Sequence, residues 1–309
     1  MLCRFKSIIE YNMKKLIILF TAAAALLSPL ALSAQKADYL GQLEGEGHKQ
    51  KGHSYQGMDV WGDYLVSLQD KGVATIYKLS CRDYRKVSQF HLATYDEANH
   101  SNVLSFGCEK FDRKDPFPLA YISQCHRKTY KGMKDVLFVE RIAPDLQSST
   151  LVQTILYDDR NGDFGYALQW VIDRQNRMLY GYGNTIDNSN PANRHRVIKF
   201  RLPKLAEGDF VVLKPEDALE NYTIEEASGY SFNPVGQGLY VYKDKLYMPT
   251  GVAKYETPSI LYVWDLAAKS MEAVDLTRCT AGELEDISRW RGRFIIQGQD
   301  GLFVIRSMK

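Results

Sequence analysis

A short phrase occurs four times along this chain, and its repetition constrains the fold more than any other feature. Each copy begins with Gln or Glu and carries a pair of apolar residues nine positions later, with a polar turn just before that pair. The copies span residues 56–66, 169–179, 237–247 and 285–295. A short strand, a tight turn and a second short strand explain this spacing. Repetition of such a hairpin predicts a β-propeller, in which each hairpin forms the inner part of one blade.

The strands predicted around these hairpins divide the chain into five blades. Most apolar runs are four to eight residues long, rich in Val, Ile and Tyr, and bounded by turn residues, which favours strands over helices. The predicted blades cover residues 56–92, 99–157, 168–213, 237–277 and 285–305. Phe210–Leu213 is predicted as the outer strand of the third blade.

The fifth predicted blade lacks one strand, and a strand within Asp38–Leu43 would complete it. Closing the ring with strands from the two ends of the chain leaves no unpaired edge. We therefore expect an all-β, five-bladed propeller closed by its N- and C-terminal strands. Six blades are the alternative, if Tyr222–Phe232 contains a degenerate blade. One short helix is expected near Pro215–Asn221, because Pro suits a first helical turn.

The N-terminus has the pattern of a secretory signal peptide. Met13-Lys14-Lys15 provides a basic start and is a second candidate for the initiating residue, and the apolar run Leu16–Leu32 follows it. Small residues then allow cleavage before Ala34 or Gln35. An N-terminal anchor helix is the alternative interpretation.

The expected organisation has three parts: a signal peptide over residues 1–34, a polar lead-in with an edge strand over residues 35–54, and a single propeller domain over residues 55–309. A protein of this kind is exported to the periplasm or the cell exterior. We expect no membrane span once the signal has been removed.

The charge balance gives no electrostatic reason for binding nucleic acid. The whole chain has a formal net charge of +2, from 39 basic and 37 acidic residues. Residues 1–34 carry four of the basic residues and one of the acidic ones, so the remaining chain has 35 basic and 36 acidic residues and a net charge of −1. Nucleic-acid binding proteins instead concentrate positive charge.

Four cysteines remain after the predicted cleavage site, an even number that permits disulfides in an exported protein. Cys108 and Cys125 flank a polar loop, where a disulfide between them would link the two strands of a hairpin. Free, buried cysteines are the alternative. The spacings do not fit zinc sites. The four residues are Cys81, Cys108, Cys125 and Cys279.

The segment 236–276 carries a set of short motifs in a fixed order: Gln237-Gly238-Leu239, Leu246-Tyr247, Thr250-Gly251 and Trp264-Asp265-Leu266. This segment resembles a blade of the glutamine cyclotransferase family, which consists of secreted five-bladed propellers that convert N-terminal glutamine to pyroglutamate. The resemblance covers about a third of the chain. It implies a propeller fold and, as its activity, glutaminyl-peptide cyclisation.

The same resemblance points to particular residues. Glu283-Leu284-Glu285 resembles the family's Asn-Glu-Leu-Glu segment, so Glu283 and Glu285 are candidate catalytic acids. Tyr166 stands where the family has a pocket Trp. The chain departs from the family at the catalytic acid that follows the strand Tyr, because Met248 follows Tyr247 and Ser67 occupies the equivalent place in the first repeat. Cyclisation needs an acid that protonates the departing ammonia, and neither Met nor Ser can supply one.

The polar residue that opens each repeat is a candidate ligand contact. Gln56, Gln169, Gln237 and Glu285 each begin an inner strand, so we expect them around the central channel. The alternative is a structural role, in which each amide caps a turn or binds the backbone of the next blade.

A departure from the repeat precedes the second blade, at Asn99-His100-Ser101-Asn102. His100 is a candidate base or metal ligand there, with Asn102 orienting a substrate; a plain turn is the alternative. His126 and His195 lie in basic loop sequences, and we expect them on the surface.

Asp159, Asn161 and Asp163 present oxygen ligands at alternate positions, a pattern that resembles half of a calcium loop. The Glu expected at the twelfth position is missing, and a turn built on Asn-Gly explains the segment as well. No cofactor other than calcium is indicated.

Three functions remain open from the sequence. The first is an exported propeller that binds a small molecule, glycan, peptide or envelope component at its channel without catalysis. The second is an enzyme on the same scaffold, either cyclotransferase-like or a carbohydrate-active hydrolase or lyase. The third is a structural or partner-binding protein, since the fold alone does not specify function. Candidate aromatic walls of a site are Tyr55, Trp61, Tyr166, Trp170 and Tyr230.

Overall fold

Strands make up about half of the chain in the computed structural model, which describes residues 33–34, 37–47, 54–80, 83–230, 236–252, 257–280 and 282–306. In chain order the strands are β1 (Ser33–Ala34), β2 (Ala37–Gly41), β3 (Tyr55–Trp61), β4 (Tyr64–Gln69), β5 (Val73–Leu79), β6 (Tyr84–His91), β7 (Val103–Phe106), β8 (Ala120–Ser123), β9 (Leu137–Ile142), β10 (Ser149–Tyr157), β11 (Tyr166–Asp173), β12 (Met178–Asn184), β13 (His195–Arg201), β14 (Phe210–Leu213), β15 (Glu220–Thr223), β16 (Tyr240–Tyr242), β17 (Lys245–Thr250), β18 (Ile260–Asp265), β19 (Ser270–Asp275), β20 (Leu284–Trp290), β21 (Arg293–Gly298) and β22 (Gly301–Ile305).

These strands form five sheets, and each sheet is one blade of a five-bladed β-propeller. Blade one is β3-β4-β5-β6, and blade two is β7-β8-β9-β10 with β14 on its outer edge. Blade three is β11-β12-β13-β15. Blade four is β16-β17-β18-β19 with β1 on its edge, and blade five is β20-β21-β22 completed by β2. The predicted all-β propeller, its five blades and its closure by strands from both ends are confirmed.

The closing strand β2 pairs antiparallel with β22, so residues from both ends of the described chain share one blade. The predicted signal peptide lies largely outside the described residues. Its predicted cleavage site overlaps β1, which pairs parallel with Val274 and Asp275 of β19. Cleavage before Ala34 or Gln35 would therefore remove part or all of this added edge strand. No helix in the described part of the chain is long and apolar enough to cross a membrane.

The predicted place of Phe210–Leu213 is wrong. This strand, β14, pairs parallel with β10 and so extends blade two, while β15 forms the outer edge of blade three. Burial explains the choice, since Leu213 and Val211 pack into the apolar cluster between blades two and three. The polar strand β15 is held to β13 through Lys199 Nζ and Glu220 Oε1, 2.9 Å apart.

The helical segments are short. Single 3₁₀ turns occur at Asp70–Gly72, Leu205–Glu207 and Pro215–Asp217, the last within the predicted helix. The only α-helix among the described residues is α1 (Ile224–Ser228), whose N-cap Thr223 accepts a hydrogen bond from the backbone N–H of Glu226. The described part of Tyr222–Phe232 is therefore a strand end followed by α1, and it adds no sixth blade.

Five apolar clusters hold the ring together, one at each junction between neighbouring blades. The inner strands converge so closely that the Gly of the repeated Gln-Gly phrase has no room for a side chain. A Cβ at Gly238 would lie 2.1 Å from Asp286 Oδ1, and one at Gly57 would lie 2.6 Å from the backbone N of Leu104. The repeated glycine thus serves the contact between blades.

Buried polar side chains link the inner strands, whose backbone groups cannot all pair within one sheet. Asp286 in blade five accepts hydrogen bonds from the backbone N–H of Met58 in blade one (2.7 Å) and of Leu239 in blade four (3.1 Å). Asp59 in blade one accepts one from the N–H of Phe106 in blade two (2.7 Å). Together these carboxylates satisfy backbone donors that burial would otherwise leave unpaired.

Candidate functional site

A cavity of about 930 Å³ opens on the propeller face where the inner strands begin. The second strand of each blade runs antiparallel to the inner one, so its end and the start of the inner strand lie at the same edge. All five blades contribute side chains to this cavity. Examples, in blade order, are Asp70, Asn102, Gln169, Gln237 and Glu283.

The residues that open the repeats take two different positions. Gln169 and Gln237 line the cavity, whereas Gln56 and Glu285 are buried and are not part of its wall. Gln169 Nε2 donates to the backbone carbonyl of Gln237 (2.8 Å), and Gln237 Nε2 donates to Glu283 Oε1 (2.6 Å). The bond made by Gln169 is the contact with the next blade's backbone that a structural role requires. Gln169 therefore both lines the cavity and makes a structural contact with the next blade.

Three polar groups of the cavity wall are buried with little or no hydrogen bonding to the rest of the described chain. Asn102 Oδ1 and the Tyr182 hydroxyl have no partner among the described residues. The third group is Gln169 Oε1, which has beside it only the Cys125 thiol, a weak donor. Leaving a buried polar atom unpaired costs about 1–3 kcal/mol, so such atoms call for an explanation.

Two histidines face each other in the cavity. His100 Nδ1 lies 2.5 Å from Asp70 Oδ1, and the His100 and His126 ring centroids are 6.0 Å apart. His126 Nδ1 accepts a hydrogen bond from the backbone N–H of Lys128 at 2.9 Å. Burial lowers the pKa of His126 below its usual value, and the neighbouring His100 lowers it further. Asp70 begins the 3₁₀ turn after β4, which brings the carboxylate to this edge of blade one.

Both His126 and His195 line the cavity, and the surface position expected for His195 is wrong, whereas His126 is partly exposed. His195 begins β13 and is only 1% exposed. Glu225 of α1 accepts from the His195 backbone N–H (2.9 Å) and contacts its ring Nδ1 (2.7 Å). The basic residues next to His195 in sequence suggested solvent exposure. Its carboxylate partner, 30 positions away, gives no local signal.

The candidate acids Glu283 and Glu285 lie at different depths. Glu283 lines the cavity, while Glu285 is 2% exposed and accepts a hydrogen bond from Gln299 Nε2. Burial raises the pKa of Glu285 well above its usual range, and the charge of Glu283 adds to this shift. Met248 and Ser67, which replace the acid of the cyclotransferase pattern, are both buried strand residues.

Of the predicted aromatic walls, only Tyr166 lines the cavity, where the Arg127 guanidinium carbon lies 5.2 Å from its ring centroid. Trp170 is buried between blades two and three, and its Nε1 donates to the carbonyl of Asp135 (3.0 Å). The Tyr55 hydroxyl donates to the carbonyl of Leu43 (2.5 Å), and Trp61 and Tyr230 pack against apolar clusters. Tyr182 also lines the cavity, although no sequence pattern predicted it there.

The carboxylates of the calcium-like segment bind their own loop. Asp159 accepts hydrogen bonds from the backbone N–H groups of Asp163 (2.6 Å) and Phe164 (3.0 Å). Asp163 Oδ2 accepts one from the Tyr157 hydroxyl (2.5 Å), and Asn161 is exposed. Among the residues that the structure describes, no group of three or more His, Cys, Asp or Glu side chains is arranged to hold a metal ion.

The proposed hairpin disulfide is absent. Cys108 and Cys125 are both thiols, and burial raises the pKa of each. Cys125 lies in the cavity wall, whereas Cys108 contacts the carbonyl of Arg174. Cys81 lies outside the described residues.

Comparison with known proteins gives a likeness of fold only. No protein-family model matches the chain, and no curated protein matches it. The crystal structure of Myxococcus xanthus glutaminyl cyclase superposes with a TM-score of 0.51 at 13% identity, covering 89% of this chain and 97% of that one. The tail fibre of Staphylococcus aureus phage P68 gives a TM-score of 0.51 at 12% identity, covering 88% of this chain and 52% of the fibre. This chain is thus distantly similar to other propellers.

Proposed function

We propose that this protein is an exported β-propeller that binds a polar ligand, a glycan or a peptide, in the cavity at the mouth of its channel. The observation that carries the proposal is the cavity wall, in which all five blades place polar side chains around about 930 Å³ of space. Ligand sites are typically concave, with a few placed polar groups that fix the ligand's orientation.

The chemistry of the wall favours a glycan among these ligands. Amide groups from Asn102, Gln169 and Gln237 can exchange hydrogen bonds with sugar hydroxyls. Tyr166, which is half-buried, provides a ring face for the apolar side of a sugar ring. The predicted signal peptide also agrees with a protein that binds glycans or peptides outside the cytoplasm.

The proposal is tested by isothermal titration calorimetry of the purified protein against a panel of neutral oligosaccharides and short peptides. Tyr166→Ala should weaken binding at least tenfold, because Tyr166 lines the cavity. Tyr95→Ala is the matched control, since Tyr95 is exposed and stacks on His91 away from the cavity. If no panel member binds, or if both variants weaken binding equally, the cavity is not the ligand site.

A glutaminyl-peptide cyclotransferase is the second candidate. Glu283 favours it, because this carboxylate reaches the cavity wall within the segment that resembles the family's Asn-Glu-Leu-Glu. The unmutated protein should then release ammonia from a glutaminyl peptide, and Glu283→Gln and Glu285→Gln should each reduce turnover. Glu216→Gln, on an exposed side chain, should leave turnover unchanged. Absence of ammonia release by the unmutated protein ends this candidate.

A further inference from the structure

We propose that Asp70, His100 and His126 form an acid–base centre that hydrolyses a carboxylic ester on the bound ligand, the simplest such ligand being an O-acylated sugar. This inference rests on the proposed function, since it needs a polar ligand in the same cavity. All three residues line that cavity, and they come from the neighbouring blades one and two. The loops that carry them are tied together by the His100 backbone N–H, which donates to the Gln124 carbonyl (3.0 Å).

The contact with Asp70 fixes the tautomer of His100. An ionised carboxylate only accepts hydrogen bonds, so the ring nitrogen that contacts Asp70, Nδ1, carries the proton. In the neutral ring the lone pair is then on Nε2. A base held in one orientation by a carboxylate is a recurring arrangement in general-base catalysis. The side chains of His100 and Asp70 are 31% and 20% exposed, which leaves His100 accessible to water.

The backbone fixes the opposite tautomer of His126. Because Nδ1 of His126 accepts the Lys128 N–H, the neutral ring carries its proton on Nε2. Burial and the nearby His100 lower the pKa of His126, which keeps the ring neutral near pH 7. A neutral imidazole of this kind acts as a hydrogen-bond donor that polarises a carbonyl group. The two rings therefore differ in role: His100 accepts a proton and His126 donates a hydrogen bond.

The two rings are neighbours in the cavity wall. Their centroids are 6.0 Å apart, so a single acyl group and its attacking water in the adjoining cavity can lie within reach of both rings. Two nearby nucleophiles, one in the cavity wall and one buried, are poor alternatives. The Cys125 thiol is buried with a raised pKa, and the Ser101 hydroxyl, next to His100 in sequence, donates to Asn99 Oδ1 (3.0 Å). Direct attack by water is the remaining route.

The reaction balances without any co-reactant other than water. His100 Nε2 takes one proton from a water molecule while the water oxygen forms a bond to the acyl carbon. The carbonyl oxygen gains negative charge and accepts the His126 Nε2–H hydrogen bond. The bond from the acyl carbon to the sugar oxygen then breaks, and His100 returns its proton to that oxygen. The products are a carboxylic acid and a free hydroxyl group.

The test measures hydrolysis of p-nitrophenyl acetate by the purified protein and its variants. His100→Ala should lower the rate at least 100-fold, and Asp70→Asn and His126→Ala should lower it at least tenfold. His100→Gln serves as a second variant in case the Ala substitution impairs folding. His91→Ala is the matched control, because His91 also contacts a carboxylate, Glu46 at 3.0 Å, but lies outside the cavity. Rates that are equal in the unmutated protein, His100→Gln and His91→Ala would overturn the inference.

Nitrogen-15 NMR of the histidine side chains supplies a readout that does not depend on the substrate. The inference expects a protonated Nδ1 in His100 and a protonated Nε2 in His126 at neutral pH, and the same tautomer in both rings would contradict it. Calorimetry with an unacylated oligosaccharide separates this inference from the proposed function. Binding without ester hydrolysis would overturn only the acid–base centre, whereas absence of binding would overturn the proposed function.

Discussion

Buried polar groups occur in two regions of this propeller. In one region they accept several hydrogen bonds, and in the other they lack partners among the described residues. Around the inner strands, Asp59 and Asp286 are almost fully buried and each accepts several hydrogen bonds. At the cavity, Asn102 Oδ1 and the Tyr182 hydroxyl are buried without a partner among the described residues. Asp59 and Asp286 lie within copies of the repeated phrase and Tyr182 follows one copy by three residues, whereas Asn102 lies where the repeat is interrupted. The repeat therefore supplies the links between blades and only part of the wall of the proposed site.

The difference teaches how to separate structural from functional polar residues in a repeat protein. A buried group with all its hydrogen bonds made contributes to stability, and removing it leaves its partners unpaired. A buried group that lacks partners lowers stability, and such groups persist mainly where they have another role. Mutations in the first region should therefore mainly lower stability, and mutations in the second should mainly weaken ligand binding.

The largest effect is expected for Asp286→Ala. This substitution removes the acceptor for the backbone N–H groups of Met58, Leu239 and Ile287. Each buried N–H that is left without an acceptor costs about 1–3 kcal/mol, so the free energy of unfolding measured in urea should fall by roughly 3 kcal/mol or more.

Asp209→Ala is the control for this measurement, because Asp209 is exposed and its side chain makes no inter-blade contact. A change within about 0.5 kcal/mol is expected there. An Asp286→Ala protein as stable as the control would refute the structural role of the inner carboxylates.

A smaller effect on stability, with a clear effect on binding, is expected for Gln169→Leu. The substitution removes one hydrogen bond, from Nε2 to the carbonyl of Gln237, which is worth about 1 kcal/mol. Removing a buried amide oxygen that has only a thiol beside it offsets part of this loss. Calorimetry should nevertheless show at least tenfold weaker ligand binding. A large loss of stability with unchanged affinity would assign Gln169 to the structural region.

The last effect, expected for Glu285→Gln, depends on pH. Burial raises the folded-state pKa of Glu285 above its unfolded value of about 4.5, so the folded state binds its proton more tightly. Stability conferred by that proton is complete below pH 4.5 and is lost as the pH rises through the folded pKa. The variant should therefore match the unmutated protein at acid pH and gain relative stability as pH rises. Urea unfolding at several pH values checks this, and a pH-independent difference would contradict the raised pKa.

The sequence predicted the blades well because each blade is built from local hairpins with a repeated apolar pattern. It predicted the closing strand because an incomplete blade needs a partner. It misplaced Phe210–Leu213, since the pattern of one strand does not say which sheet edge will accept it. That choice depends on burial of Leu213 between two blades.

The candidate site was less predictable because its residues are brought together from positions far apart in the sequence. His100 stood out because it interrupts the repeat, but its partner Asp70 lies 30 positions earlier in a turn without a motif. His195 and Tyr182 looked unremarkable in sequence, and only the convergence of blades at the channel mouth brings them to the cavity. Trp170, a candidate wall in the sequence, fills a junction between blades.

The most direct test of the central claim is a crystal structure of the protein soaked with the oligosaccharide and peptide panel. The account predicts electron density for a panel member in the cavity, with hydrogen bonds to Asn102 and Gln169 and contact with Tyr166. Ligand density only at other surfaces, with the cavity unchanged across the panel, would contradict it.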